Sequence, residues 1–557
     1  MPDRKISFVL IVLLALASCK SPEEKMPIPS KSGPAMGTHG MVSTAHPIAT
    51  RIGVSILRAG GNAFDAAVAI AATLNVFEPM NSGIGGYGTI LIYDAVRDKT
   101  RFLDSSGRIP RNVDSDVFRP PTPNYRENRR GPKAVSTPGN VNAWWAMSSA
   151  YGRLDWKELF EAAIKAAEDG FEIDERLARV IKFAFPEFNS YAQSVYGKNG
   201  KSMEKGDRLV QKDLARSLRL IAEQGAKAVY GGELGKAIDR VMRETGGFLT
   251  IDDLIADRAE WWSPISIEYR GCKVTTASPP STAFPSLIRL GLMSRFNPTA
   301  LGHNSADYLH RFAEVTKHAF WCRLAYAGDP EVSPPPLFRL LKEDYWNEIV
   351  QDMDMEKATP FRPPNIVVKS GDNTTHFVVA DKWGNIVSAT QTLGESFGSR
   401  IMVEGTGIWL NNSLAYCTFE PKGNPMDAHP GQRKLSGDCP TIVFKEGKPW
   451  IALGTPGGHS IGQTVPQIIM NMIDFGMDIQ QAIAAPRISF AEPDYILVEQ
   501  GIEPSVLDTL REMGHNIRQS TGIGNAHGLT IEYDAGGKPI RFIGSADPRG
   551  SGLSQGY

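Results

Sequence analysis

Apolar and polar positions change their period twice along the chain. From Thr50 the segment TRIGVSILRAGGNAFDAAVAIAATLNV carries helical spacing, split into two helices by Gly60-Gly61. Asn62 is placed to cap the second helix with Asp65 three residues on, and the alanine-rich stripe that follows suits a tightly packed, buried helix. SGIGGYG and a strand, TILIYD, come next. From about Trp144 to Trp346 the periodicity is mostly helical, as in WKELFEAAIKAAEDGF and LARSLRLIAEQGAKAVYG, with Pro-rich breaks at SPPSTAFP and VSPPPLF. A polar, Pro-rich tract near Ala358 to Asn373 reads as the main linker of the body. From Thr374 onward strands dominate (HFVVAD, IVSATQTL, TIVFKEG, PWIALG, GLTIEYD), interrupted by one helix, TVPQIIMNMIDFG. These strands alternate poorly, which marks burial on both faces. The expectation is one interleaved α+β domain with stacked sheets between helical layers, in preference to a helical domain followed by a β domain.

Composition narrows the function classes. The 557 residues carry a formal net charge of −1, so no global field favours nucleic acid, and Arg129-Arg130 reads as a solvated loop. The N-terminus stands apart. Arg4-Lys5 precede an apolar run, Ile6 to Leu16, that ends in Leu16-Ala17-Ser18-Cys19 and is too short to span a bilayer as a mature helix. It resembles a bacterial lipoprotein signal: residues 1–18 removed, Cys19 lipidated, residues 19–33 a flexible tether, and the protein exported and membrane-anchored in the cell envelope. An ordinary cleaved signal peptide is the alternative. The remaining cysteines, Cys272, Cys322, Cys417 and Cys439, show no metal-ligand spacing, so no metal is expected. Cys417 and Cys439 are either a disulfide closing a loop of about 22 residues or two isolated thiols.

The candidate chemistry lies where the linker meets the strands, at Asn373-Thr374-Thr375-His376. A threonine hydroxyl needs an adjacent base, and cutting the chain just before it makes its own α-amine that base. Two other motifs compete. Gly83-Ile84-Gly85-Gly86-Tyr87-Gly88 matches GxGxxG, but with a helix before and a strand after, the reverse of a dinucleotide fingerprint. Gly458-His459-Ser460-Ile461-Gly462 matches a nucleophile elbow, with Asp494, His515 and His527 downstream, yet Thr455-Pro456-Gly457-Gly458 separates the strand from the serine. Alternatively, Gly457-Gly458 before a helix exposes backbone N–H groups suited to an oxyanion.

The segments TTHFVVADKWGNIVSATQTLGESFGS, GTGIWLNN, LSGDCPTIVFKEGKPWIALGTPGGHS and SADPRGSGLSQGY resemble the γ-glutamyltranspeptidase family. So do GMVSTAHPIATRIGVSILRAGGNAFDAAVAI, STPGNVNAWW and ETGGFLTIDDL upstream. The resemblance implies a four-layered αββα sandwich of the N-terminal nucleophile hydrolase type. It implies self-cleavage between Asn373 and Thr374 into a large subunit, 34–373, and a small subunit, 374–557, that stay associated. Thr374 matches the nucleophile, Thr392 the threonine that bonds its hydroxyl, and Gly457 and Gly458 the oxyanion pair. No cofactor is implied.

The pocket for the acyl group departs from the family pattern. Ser106 stands at the position of the clamp arginine, with Arg108 two residues on as a substitute. Gly394 replaces an asparagine, Ser436 is followed by Gly437 where the family has paired serines, Tyr416 replaces an acidic residue, and Ser413 holds a polar position three before it. Three lost hydrogen bonds to charged groups amount to roughly 5 kcal/mol, about a thousandfold in recognition of an α-amino acid head. The expected function is an amidohydrolase that forms an acyl-enzyme from a small amide and passes it to water, or to an amine, with altered acyl specificity. A true glutathione hydrolase/transpeptidase and a catalytically idle peptide-binding lipoprotein are the alternatives.

Overall fold

The computed structural model describes residues 34–119, 127–364 and 373–557. The signal segment 1–18, Cys19, the tether through residue 33 and linker residues 365–372 lie outside the described residues. Two seven-stranded antiparallel sheets form the centre. The first runs, in spatial order, Leu553–Gly556, Gly40–Thr44, Asn373–Asp381, Ile386–Gly394, Tyr87–Asp94, Lys99–Ser105 and Glu260–Trp262. The second runs Ala35–Gly37, Pro539–Ala546, His527–Tyr533, Lys448–Gly454, Thr441–Lys445, Cys272–Thr276 and Ile265–Tyr269.

An apolar layer that includes Met41, Leu91, Val378, Ile442, Ala452 and Leu529 lies between the sheets. Two larger cores join their outer faces to helices: Pro47–Arg58 and Ala63–Phe77 on the first sheet, Phe284–Met293 and Ile461–Ile473 on the second. This is the αββα sandwich, and it explains the poor strand alternation, since both faces of each sheet are covered.

Helix Ala63–Phe77 is buried along its whole length, as the alanine stripe predicts. Asn62 and Asp65 form a reciprocal capping box at its start. The Ala63 N–H also donates to Asp381 Oδ2 at 2.9 Å, tying the helix N-terminus to the end of strand Asn373–Asp381. The segments before and after Thr374 share both sheets. Asn373–Asp381 pairs with Gly40–Thr44, and Thr441–Lys445 pairs with Cys272–Thr276. A cut before Thr374 therefore leaves the two pieces joined by intact ladders and a common core.

Three expectations need correction. The middle region is mostly helical, but Glu260–Trp262 supplies an edge strand to the first sheet and Cys272–Thr276 and Ile265–Tyr269 supply the last two strands of the second, and helical periodicity hides such short segments. Cys417 and Cys439 are not bridged. Both are buried free thiols, Cys417 packed near Leu414 and Phe419 and Cys439 bonded to Ser286. Arg129 and Arg130 do not form a solvated loop, because both pair with Glu395. Among the described residues, no helix is long and apolar enough to cross a membrane.

Candidate active site

Strand alternation decides where Thr374 points. Val378 and Ala380 face the second sheet, while Phe377 and Val379 face the helical layer, so Thr374 and His376 share the inter-sheet face. His376 bears this out: a Cβ added to Gly454, on strand Lys448–Gly454, would lie 2.2 Å from the His376 ring. The same parity on Ile386–Gly394 turns Ser388, Thr390 and Thr392 inward; Ser388 Oγ donates to Leu453 O, and Thr390 Oγ1 bonds His376 Nδ1. The ladder between these strands shifts register between Asn373 and Thr375, so that Thr374 alone opposes Thr392 and Leu393. Such an irregularity re-aims a side chain at a strand end.

Thr374 Oγ1 lies 2.6 Å from the Asn373 carbonyl oxygen and 3.2 Å from Thr392 Oγ1. Thr392 Oγ1 donates to the same carbonyl at 2.7 Å and accepts from Gly394 N–H at 2.8 Å. The carbonyl before Thr374 is thus polarised by two hydroxyls, one of them itself polarised by a backbone N–H. Both threonines are nearly buried, at 5% and 3% exposure, so the dipoles act in a medium poor in water. On the other face Thr375 Oγ1 donates to buried Glu78, which also binds Arg176. The glycines of SGIGGYG allow this close packing: a Cβ on Gly86 would stand 2.5 Å from Thr392 O. Gly86 and Gly88 pack against the Thr392 strand, Gly83 against Asn75 and Gly85 against the Trp409 carbonyl.

Strand Lys448–Gly454 leads through Thr455 and Pro456 to Gly457 and Gly458. Their φ angles are +130° and +56°, a conformation that suits glycine. Thr374, Asn373 and Gly457 together line a cavity of about 550 Å³ that includes His459, Glu492, Tyr495, Arg518 and Asn525. Ser460 is not a nucleophile elbow. Its hydroxyl donates to Gly457 O, His515 meets His310, and Asp494 accepts from Phe361 N–H.

Of the predicted acyl-pocket residues, Gly394 donates its N–H to Thr392 and Gly437 lies beside Gly458. The lining of this cavity includes none of Ser106, Arg108, Gly394, Ser413, Tyr416, Ser436 or Gly437. Ser106 is fully buried and bonded to Asp104, whose carboxyl burial pushes up to about 7. The Arg108 guanidinium is bound to Glu260 and to the Gly431 carbonyl. Ser413 is buried against Ser136, and Ser436 donates to Asp438, whose carboxyl burial raises to about 6. Glu395 is occupied by Arg129 and Arg130.

Gly394 has φ +101°, and a Cβ there would fall 2.1 Å from Asn412 Oδ1, so an asparagine at this position strains the backbone and must displace the Asn412 side chain. Gly437 is open, with only Gly458 O near, 3.9 Å from a Cβ. The Tyr416 hydroxyl donates to the Gly394 carbonyl at 3.4 Å.

One residue escaped the sequence reading. Lys434 is buried, its ammonium stacked 4.4 Å from the Tyr87 ring and 4.6 Å from the Tyr416 ring, with no hydrogen-bond acceptor among the described residues. Burial lowers its pKa to about 8. A lysine inside the family-like RKLSG run was the available signal.

A threonine at a strand start between two stacked sheets, aimed at the carbonyl before it, defines an N-terminal nucleophile hydrolase in its uncut form. The chain belongs to the γ-glutamyltranspeptidase family, whose model matches residues 49–557. It is 35% identical to the glutathione hydrolase proenzyme of Bacillus subtilis (strain 168), covering 94% of this chain and 92% of that protein. It is also 35% identical to the acylase ACY 1 proenzyme of Pseudomonas sp. (strain V22), covering 87% and 88%. The crystal structure of cephalosporin acylase from Bacillus halodurans superimposes with a TM-score of 0.87 at 29% identity, over 96% of this chain and 98% of that one. The chain is therefore an enzyme, a self-processing amidohydrolase of the acyltransferase type.

Proposed function

We propose that this protein cuts itself between Asn373 and Thr374 and then hydrolyses small amides through a Thr374 acyl-enzyme. The observation that carries this reading is the arrangement of the Asn373 carbonyl, the Thr374 hydroxyl and the Thr392 hydroxyl within 3.2 Å of one another. In the first reaction Thr374 Oγ1 attacks the Asn373 carbonyl carbon while Thr392 stabilises the developing oxyanion. The C–N bond breaks, the Thr374 nitrogen takes the hydroxyl proton, and water hydrolyses the resulting ester. The freed α-amine is then the general base for the second reaction. Thr374 Oγ1 bonds to the substrate carbonyl, the Gly457 and Gly458 N–H groups receive the oxyanion, and the leaving amine takes the proton. Water, or less readily an amine, accepts the acyl group.

The acyl group is one without an α-amino acid head. Supporting this are the commitment of Arg108 to Glu260, the burial of Ser106, Ser413 and Ser436 on partners of their own, and the bond from the Tyr416 hydroxyl to the Gly394 carbonyl. Relatives named for glutathione and relatives named acylase are both similar to this chain, so the two donor types are the ones to compare. Denaturing gels with N-terminal sequencing test the first reaction. Two fragments are expected, the smaller beginning Thr-Thr-His-Phe, and an uncut chain in Thr374→Ala. Turnover of γ-glutamyl and glutaryl p-nitroanilides tests the second. A preference for the γ-glutamyl donor would overturn the specificity reading.

The N-terminal pattern supports export and lipid anchoring at Cys19. Cys19→Ala should move the enzyme from the membrane pellet to the soluble fraction, and an unchanged distribution would refute the anchor.

A further inference from the structure

Behind the nucleophile, on the face turned away from Thr392, stands a carboxylate that no step of either reaction uses. Glu78 is 1% exposed and caps the C-terminal end of helix Ala63–Phe77. Both circumstances are adverse: a buried carboxylate loses its hydration, and the negative end of a helix dipole repels it. Two groups compensate. Thr375 Oγ1 donates to one carboxylate oxygen at 3.0 Å, and Arg176 donates to the other at 3.0 Å. Thr375 directly follows the nucleophile, and Arg176 lines the cavity that also contains Thr374 and Gly457. A carboxylate kept in so unfavourable a place, and bonded to the residue after the nucleophile, points to a role in holding that residue.

The cut changes what Thr375 has to do. In the precursor the backbone at Thr374 is held on both sides, since Asn373 pairs with Gly394 in the ladder and its side chain bonds Ser396. Cutting the Asn373–Thr374 bond assigns those contacts to the other subunit. Thr374 itself has no one-to-one partner in the ladder, because the register shifts between Asn373 and Thr375. The new N-terminus is thus an unpaired residue at a strand end, the kind of position that frays. Thr375, paired with Gln391, is the first fixed point behind it. The ladder pair fixes the backbone along the strand. The hydroxyl bond to Glu78 fixes the rotation of the strand end, and with it the direction of the Thr374 side chain on the opposite face.

We propose that Glu78, oriented by Arg176, is a positioning residue: it holds Thr375 so that the freed Thr374 keeps its hydroxyl against Thr392 during amide turnover. This rests on Thr374 being the amidohydrolase nucleophile after the cut. The consequence is an asymmetry between the two reactions. Self-cleavage takes place while Asn373 still braces the chain, so it tolerates loss of the anchor. Turnover uses the free chain end and does not.

The test uses Thr375→Val, which keeps the shape of threonine and removes the hydroxyl. Self-cleavage, followed on denaturing gels, should stay within about threefold of the native rate. On whichever p-nitroanilide the native enzyme turns over, γ-glutamyl or glutaryl, kcat should fall by about tenfold to a hundredfold, the loss expected when a reacting group is displaced by about 1 Å. KM should move by less than about threefold, because the cavity is unaltered. Thr375→Ser should restore most of kcat. Glu78→Gln keeps an acceptor for Thr375 but loses the charge pair with Arg176, and should fall between the native enzyme and Thr375→Val. The double variant Thr375→Val/Glu78→Gln should be no slower than Thr375→Val alone, since both changes act on one bond. Equal losses in self-cleavage and turnover would make Thr375 and Glu78 parts of the fold only and overturn the assignment. A folded Thr375→Val enzyme with native kcat would overturn it as well, and in either case the nucleophile reading stands, because the native enzyme still turns over. Absence of turnover on every anilide by the native enzyme overturns the nucleophile reading, and the assignment with it.

Discussion

Replacing Thr392 by valine isolates the step at which the precursor cuts itself. Valine keeps the shape of threonine and removes one hydroxyl, which donates to the Asn373 carbonyl at 2.7 Å and accepts from Gly394 N–H at 2.8 Å. The rate effect follows from the first bond. A single donor aimed at a developing oxyanion is worth about 2.7–4 kcal/mol, so self-cleavage should slow by about a hundredfold to a thousandfold. The stability effect follows from the second, because a buried N–H left without an acceptor costs about 1–3 kcal/mol. The Asn373 carbonyl still has the Thr374 hydroxyl at 2.6 Å, so the fold keeps most of the local bonding. The assay is a time course on denaturing gels from freshly purified precursor, with Thr374→Ala as the uncut reference and circular dichroism to verify folding. Thr392→Ser should restore most of the rate. A folded Thr392→Val precursor that cuts within about threefold of the native rate would refute the role given to this hydroxyl.

The two glycines of the altered acyl pocket should behave in opposite ways. Gly394→Asn meets Asn412 and a left-handed backbone, and should lower the melting temperature measurably without restoring γ-glutamyl turnover, whereas Gly437→Ser enters open space and should fold normally. Lys434→Met should stabilise the protein near neutral pH, because it removes a buried ammonium that lacks a hydrogen-bond acceptor. The folded pKa, about 8, lies below the unfolded value, so the native enzyme carries the full penalty below pH 8 and loses it as pH rises through about 10.4. Native stability measured by urea titration should therefore climb between those values, by on the order of 3 kcal/mol, and the climb should be absent in Lys434→Met. Arg108→Gln should cost no more than about 1 kcal/mol and leave the donor preference unchanged, since the partly exposed Arg108–Glu260 pair lies away from the acyl chemistry. A large loss of activity on one donor alone would restore Arg108 to the pocket.

Local pattern was enough for the parts of this protein whose causes are local. The capping box at Asn62 and Asp65, the buried alanine helix and the strands flanking Thr374 follow from spacing, because caps and apolar periodicity act within a turn or a strand. The Thr374 motif and its family partners Thr392, Gly457 and Gly458 were legible for the same reason: each sits in a short, distinctive run. What those residues touch was settled only by the tertiary structure. Strand parity and a register shift turned Thr374 towards Thr392, and the stacking of two sheets brought the turn at Gly457 to the same cavity. Arg108, close in sequence to the missing clamp, was claimed instead by Glu260, 152 residues away. Gly394 takes a left-handed backbone packed against Asn412, and a lysine at 434 lies buried between two tyrosine rings. Periodicity encodes which face of an element is apolar, but the identity of a partner depends on which distant segment is packed there. That is why the Thr374 motif could be read from the chain and the contacts of the residues around it could not.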